Sequence, residues 1–152
     1  EGFVGTDSFN YTVTDNQSDS VTANVTITVR KSNNINLSKV YLVNFLYDST
    51  ELTPSSTARV DAIIDKLRRS PNVITEIYTY TDSIGSEAFN LLLSQRRAAA
   101  LKDRLMQNGI DGNTIRAIGV GEGQPVADNS TPAGQAINRR GVFVFRPAPA
   151  PE

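Results

Sequence analysis

The apolar residues change their period once along this chain, and that change limits the fold more than any other feature. Up to about Val29 the period is two. Ser8-Phe9-Asn10-Tyr11-Thr12-Val13-Thr14 alternates, as does Val21-Thr22-Ala23-Asn24-Val25-Thr26-Ile27-Thr28-Val29, and the turn-rich Asp15-Asn16-Gln17-Ser18-Asp19 separates them. Alternating β-branched and aromatic residues around such a turn predict a β-hairpin. From Val40 onward, compact apolar runs alternate with segments of helical spacing. The chain therefore divides into a hairpin over residues 1–30, a polar linker over 31–37, an α/β domain over 38–146 and a proline-rich tail over 147–152. Two strands alone are marginal in water. The hairpin needs a partner: the second domain, another chain, or upstream sequence. The opening Glu1-Gly2-Phe3, without Met, reads as a fragment of a longer, exported protein.

Within the second part, Val40 to Phe45 is a compact apolar strand. Thr53 caps a helix with Pro54 at its first position, and Val60, Ile63, Ile64 and Leu67 share one face of it. Arg68 and Arg69 near its end suit the helix dipole. Val73 to Tyr80 is a second strand. Gly85-Ser86 opens a second helix with Leu91, Ala98, Leu101 and Leu105 as its buried stripe, and Asn108-Gly109 stops it. Ile115 to Val120 is a third strand, residues 121–138 a loop, and Gly141 to Phe145 the last strand. The order βαβαββ predicts an α/β (α+β) sandwich with two main helices packed on a mixed sheet. The alternating prolines after Arg146 predict an extended, mobile tail.

Composition removes several functions. Lys and Arg number 15 against 16 Asp and Glu, so no basic field holds nucleic acid or an anionic membrane. No apolar run is long enough to span a bilayer. There is no Cys and no His. Thiolate chemistry, the commonest general base and the commonest transition-metal ligand are all missing. No catalytic residue, metal ligand or cofactor is expected.

One acid and one base stand out. Asp82 ends the second strand, and Arg97 lies inside the helix that follows. A carboxylate facing a guanidinium across a groove is a receptor for a small zwitterion: the first takes an ammonium, the second a carboxylate with fork geometry. Arg96 points about 100° away from Arg97 around the helix and is expected in solvent.

Four landmarks in order carry a family resemblance. They are Thr81-Asp82-Ser83-Ile84-Gly85; Asn90 with Leu93-Ser94-Gln95-Arg96-Arg97-Ala98; Gly119-Val120-Gly121-Glu122-Gly123-Gln124-Pro125; and Asn138-Arg139-Arg140. The chain from about Val40 to Phe145 resembles the OmpA-like peptidoglycan-binding domain through these motifs. The wording of residues 5–29 also resembles the closing strands of bacterial cadherin-like or immunoglobulin-like repeats. Three positions depart from the family pattern: Thr79 replaces a glycine, Leu46-Tyr47-Asp48 replaces a Phe-Asp or Phe-Asn pair, and Gly141 replaces a valine. The first two are expected to alter the wall of the ligand groove.

The resemblance implies binding of peptidoglycan through the meso-diaminopimelate of its stem peptide. It assigns Asp82 to the ligand ammonium and Arg97 to its carboxylate. It offers Tyr47, Asp48, Thr81, Asn90 and Arg140 as secondary contacts. Asn90 serves equally as a ligand donor or as a tie between the 82–86 turn and the helix. Of Arg139 and Arg140, one can reach a ligand carboxylate, although a structural salt bridge is the more ordinary role. The implied setting is the periplasmic side of the Gram-negative outer membrane, with no membrane insertion by this segment. The alternative is a structural or dimerisation module of the same fold, a homodimer exchanging its N-terminal strands and binding no ligand.

Other signals have plainer readings. Gly119-Val120-Gly121-Glu122-Gly123 follows a strand but opens no helix, as a phosphate loop requires. Asp61 and Asp65, one turn apart, form a solvated face. Asp7, Asp15 and Asp19 can bind calcium or simply serve as turn residues.

Overall fold

The computed structural model describes residues 5–14, 20–29 and 35–149. It divides into two units, Glu1–Asn33 and Asn34–Glu152. In the first, β1 (Gly5–Thr14) pairs antiparallel with β2 (Ser20–Val29), from Gly5 opposite Val29 to Thr14 opposite Ser20. The period-two pattern puts polar pairs on one face, where Thr12 and Thr22 hydroxyls meet at 2.7 Å and Asn24 Nδ2 donates to Asn10 Oδ1 at 2.8 Å. Phe9 and Ile27, in the alternate register, stay half exposed. The turn with Asp15 and Asp19, residues 30–34 of the linker region and residues 150–152 of the tail lie outside the described residues.

The second unit runs β3 (Tyr41–Asn44), α1 (Pro54–Arg68), β4 (Val73–Tyr80), α2 (Glu87–Gln107), β5 (Ile115–Gly121), α3 (Pro132–Asn138) and β6 (Arg140–Pro147). The sheet order is β3-β6-β4-β5; β6 is antiparallel to β3 and β4, and β4 and β5 are parallel. Both main helices start as their sequences dictate. Thr53 Oγ1 accepts from Ser56 N ahead of Pro54, and Ser86 Oγ accepts from Phe89 N. One face of the sheet (Val43, Ile77, Ile115, Phe143, Phe145) packs with Val60, Ile63, Ile64 and Leu67 of α1 and Leu101 and Leu105 of α2. Gly141 faces this core, where a Cβ would stand 2.9 Å from Val43 Cγ2. The valine usual in the family has no space here.

Four expectations need correction. Residues 121–138 are not all loop, because α3 occupies Pro132–Asn138. Its start repeats the Thr-Pro signal of α1, with Thr131 Oγ1 accepting from Gly134 N at 3.0 Å, but it is short and carries a glycine. Leu91 is not buried; it is 42 % exposed. The covered stripe at the start of α2 is polar (Asn90, Ser94, Arg97) and becomes apolar only from Ala98, so hydrophobic spacing picks the wrong residue. Thr79 does not reach the groove wall. It sits under α2, fully buried, and its hydroxyl donates to Ser94 O at 2.6 Å. The tail begins ordered: β6 includes Pro147, and Ala148 N donates to Asn72 O at 3.0 Å.

Candidate functional site

The site forms where the C-terminal end of β4 meets the start of α2. After Tyr80 the chain turns, and Thr81 N donates to Gly121 O at 3.1 Å. Asp82 Oδ1 accepts from Ile84 N at 3.1 Å, the side-chain turn that Asp makes readily. Gly85 then takes φ +106°, a conformation costly for any residue with a Cβ, and Ser86 caps the helix. Asn90, Leu93 and Arg97 follow at three- and four-residue spacing, which places them on one helix face. That face overlooks the loop after β3, where Asp48 has φ +45°.

These elements enclose a cleft of about 100 Å³ lined by Tyr47, Asp48, Thr81, Asp82, Asn90, Arg97 and Arg139, with Ile84, Phe89 and Leu93 as its apolar wall. Free-standing ligand pockets hold about 300–1,000 Å³; this one accommodates one end of a larger molecule. A larger depression of about 580 Å³ lies along α2 beside Glu51, Asp103 and Arg104. Glu51 and Asp103 there are exposed and Arg104 is paired with Asp61 at 2.7 Å, so its charges are solvated or already matched.

Arg97 is the largest fully buried side chain. Nε donates to Ser49 O at 2.8 Å, Nη1 to Tyr80 O at 3.2 Å and Nη2 to Leu46 O at 3.0 Å. Its guanidinium also lies 4.7 Å from the centre of the Phe45 ring. Arg97 thus holds the 46–49 loop against β4 besides charging the cleft. Burial lowers its pKa to about 10; Asp82 and Asp48 oppose that fall and Arg139 adds to it. The group stays cationic at neutral pH.

Asp82 is only 4 % exposed. Its partner is not Arg97 but Arg139, whose Nη1 lies 2.8 Å from Asp82 Oδ2. The sequence pointed to a lone acid facing a lone base; the cleft instead holds Asp82 and Asp48 with Arg97 and Arg139. Tyr47 is 62 % exposed, and its ring centre is 5.7 Å from the Arg139 guanidinium. Thr81 lines the cleft with a buried hydroxyl that has no partner among the described residues. Asn90 lines it too, but its Nδ2 donates to the Glu122 carboxylate. It therefore ties α2 to the end of β5 rather than to the 82–86 turn.

Arg140 lies elsewhere, which corrects its place among the secondary contacts. Its guanidinium stacks 3.8 Å from the Tyr80 ring centre, and Nη2 donates to Gln124 O at 2.9 Å. Side chains alternate along β6. Gly141 faces the core, so Arg140 faces the opposite side of the sheet. Arg139 escapes that alternation because it is the C-cap of α3. Arg96 is exposed, as expected.

Residues 44–139 match the OmpA family, and residues 1–28 match the bacterial Ig domain. The chain is 40% identical over 99 residues to outer membrane porin F of Pseudomonas aeruginosa, a match covering 64% of this chain and 28% of the relative. It is 38% identical over 98 residues to the peptidoglycan-binding protein ArfA of Mycobacterium tuberculosis, covering 64% of this chain and 30% of that protein. It thus spans less than a third of either relative. Among solved structures, the peptidoglycan-associated lipoprotein from Burkholderia pseudomallei aligns with a TM-score of 0.65 and 30% identity, over 69% of this chain and 89% of that one. The resemblance read from the four landmarks is borne out, as is the immunoglobulin-like character of the N-terminal strands.

Proposed function

We propose that this chain, which belongs to the OmpA family, binds peptidoglycan non-covalently through the diaminopimelate of its stem peptide. It would so anchor an outer-membrane or envelope protein to the cell wall from the periplasmic side. The observation that carries this reading is the convergence of a buried carboxylate, Asp82, with two guanidinium groups in a cleft that fits only the end of a ligand. Relatives and a structural neighbour named for peptidoglycan binding or association support the ligand class.

Diaminopimelate ends in an ammonium and a carboxylate on one carbon. Asp82 receives the ammonium, and the cationic side of the cleft, charged by Arg97, receives the carboxylate. Lysine, which replaces it in other walls, keeps the amine and lacks the carboxylate. Its binding would leave a desolvated guanidinium short of a partner, at about 1–3 kcal/mol or more for a charged group, roughly tenfold or better in affinity. Discrimination arises from the unsatisfied group in the wrong complex. The role is binding, not catalysis. The chain has neither His nor Cys, and the cleft carboxylates are balanced by guanidinium groups. Among the described residues no helix is long and apolar enough to cross a membrane.

The test is calorimetric titration of the chain with a diaminopimelate stem peptide and its lysine counterpart, repeated on Asp82→Asn. The expected result is a preference of about tenfold for the first peptide and loss of both in the variant. Equal affinity for the two peptides, or undiminished binding by the variant, would sink the reading.

A further inference from the structure

The sheet of the second unit is apolar on both faces, although its two main helices share one of them. α1 and α2 pack with Val43, Ile77 and Phe143. Side chains alternate along a strand, so Leu42, Val142, Tyr78 and Ile118 point the opposite way. Leu42 stands opposite Val142, Val142 opposite Tyr78 and Tyr78 opposite Ile118, which makes one row across all four strands. At the two ends of the row Leu42 and Ile118 are 48% and 47% exposed. The sequence of β6 carries the same message. A strand covered on one face alternates apolar with polar, whereas Gly141-Val142-Phe143-Val144-Phe145 is apolar throughout, the pattern of a strand covered on both faces. Charges flank the row. Arg146 Nε donates to Glu76 Oε2 at 3.0 Å, and Arg116 Nη1 stands 3.9 Å from Glu76 Oε1. Glu76 is buried, while the Arg146 and Arg116 side chains are 61% and 68% exposed. Their other N–H groups make no hydrogen bond among the described residues.

We infer that this second face of the sheet docks an acidic amphipathic helix of a partner protein. The apolar stripe of that helix lies on the row of Leu42, Val142, Tyr78 and Ile118, and its carboxylates pair with Arg116 and Arg146. The charges choose among occupants. Two guanidinium groups against one carboxylate leave a positive excess, which an acidic partner complements. A second copy of this chain would bring four guanidinium groups together with two carboxylates. Nucleic acid and anionic membrane need a wider basic field than a chain of net charge -1 offers. The shape suits a helix. Four strands about 4.8 Å apart make a face about 14 Å wide, and one helix about 10 Å across covers most of it. A sheet with helices on both faces is among the stable layer arrangements. None of these residues lines the cleft of Asp82 and Arg97, so partner and wall ligand bind independently.

The experiment follows, by fluorescence polarisation on the 152-residue chain, the binding of two labelled model helices of about 18 residues, long enough to be helical alone. Both carry a Leu stripe at helical spacing; one has Glu on its polar face and the other Lys. Wild type should bind the Glu helix about tenfold tighter than the Lys helix. Ile118→Ser and Leu42→Ser, at exposed ends of the row, should each weaken the Glu helix about tenfold. Arg116→Glu reverses the local excess of charge and should reverse the preference. Should circular dichroism show that variant unfolded, Arg116→Gln decides: a reduced preference supports the inference and a wild-type preference overturns it. Failure of wild type to bind the Glu helix, equal binding of the two helices, or undiminished binding by both serine variants overturns it too. So does a wild-type dimer in sedimentation that Ile118→Ser dissolves, because the face then belongs to a second copy. Titration of Ile118→Ser with the diaminopimelate stem peptide should match wild type, which keeps a failure here distinct from a failure of the proposed wall binding.

Discussion

Replacing Arg97 by Met tests the most unusual feature of the site, a buried cation whose hydrogen bonds all go to backbone carbonyls. Three carbonyls lose their donor: Leu46, Ser49 and Tyr80. Hydrogen bonds from charged donors contribute about 1.5–3 kcal/mol each. Leu46 is 41 % exposed and Ser49 half-buried, so their carbonyls regain water, and we assign about 1 kcal/mol to each. Tyr80 is 9 % exposed; its carbonyl stays dry, at about 2 kcal/mol. Relief from burying a cation offsets about 1 kcal/mol of this. The net loss is about 3 kcal/mol, or about 10 °C in melting temperature for a chain of this size. Thermal unfolding followed by helical ellipticity is the assay, because α1, α2 and α3 all lie in the unit Asn34–Glu152. The variant should also lose affinity for the diaminopimelate and lysine peptides alike, because the 46–49 loop comes free. A loss of stability below about 0.5 kcal/mol, the size of an ordinary surface substitution, would show that the three carbonyls do not depend on Arg97.

Two further substitutions probe the seat of α2. At Gly119 an added Cβ would stand 2.2 Å from Gln95 N and 2.5 Å from Ser94 C, both helix backbone. Gly119→Ala should therefore lift α2 and lower stability by about 3 kcal/mol, read as a shift of the urea midpoint; a shift worth under about 1 kcal/mol contradicts the close approach. Thr79→Val removes the buried bond to Ser94 O while keeping the shape. It should cost about 1 kcal/mol with an unchanged urea m-value, and a more stable variant would show that the bond contributes nothing.

How far the site was legible depended on distance along the chain. The turn from Asp82 to Ser86 was readable because its partners lie within a few residues: Asp82 with Ile84, Ser86 with Phe89. Asn90 was readable as important but not as a tie, because Glu122 is 32 residues on. Arg139 was harder still. Its partner Asp82 is 57 residues away, and its side chain turns into the cleft only because α3 ends there. Without that helix, Arg139 and Arg140 were indistinguishable neighbours. Thr79 illustrates the opposite error. Its nearness in sequence to Asp82 suggested the groove wall, yet strand alternation directs it under α2.

From residues alone came the change of period, the caps of both main helices, the polarity of the pair Asp82 and Arg97, and the exclusion of thiol and imidazole chemistry. These are properties of residue type and of windows a few residues wide, where backbone geometry leaves few choices. Tertiary structure alone decided which donors remain free. Packing α2 on β4 commits Arg97 to three carbonyls from two separate segments, and the end of α3 brings a second guanidinium to Asp82. A guanidinium has five donors in fixed directions. Which of them face a ligand depends on the acceptors that the fold brings around it, and those acceptors come from parts of the chain that no local pattern connects.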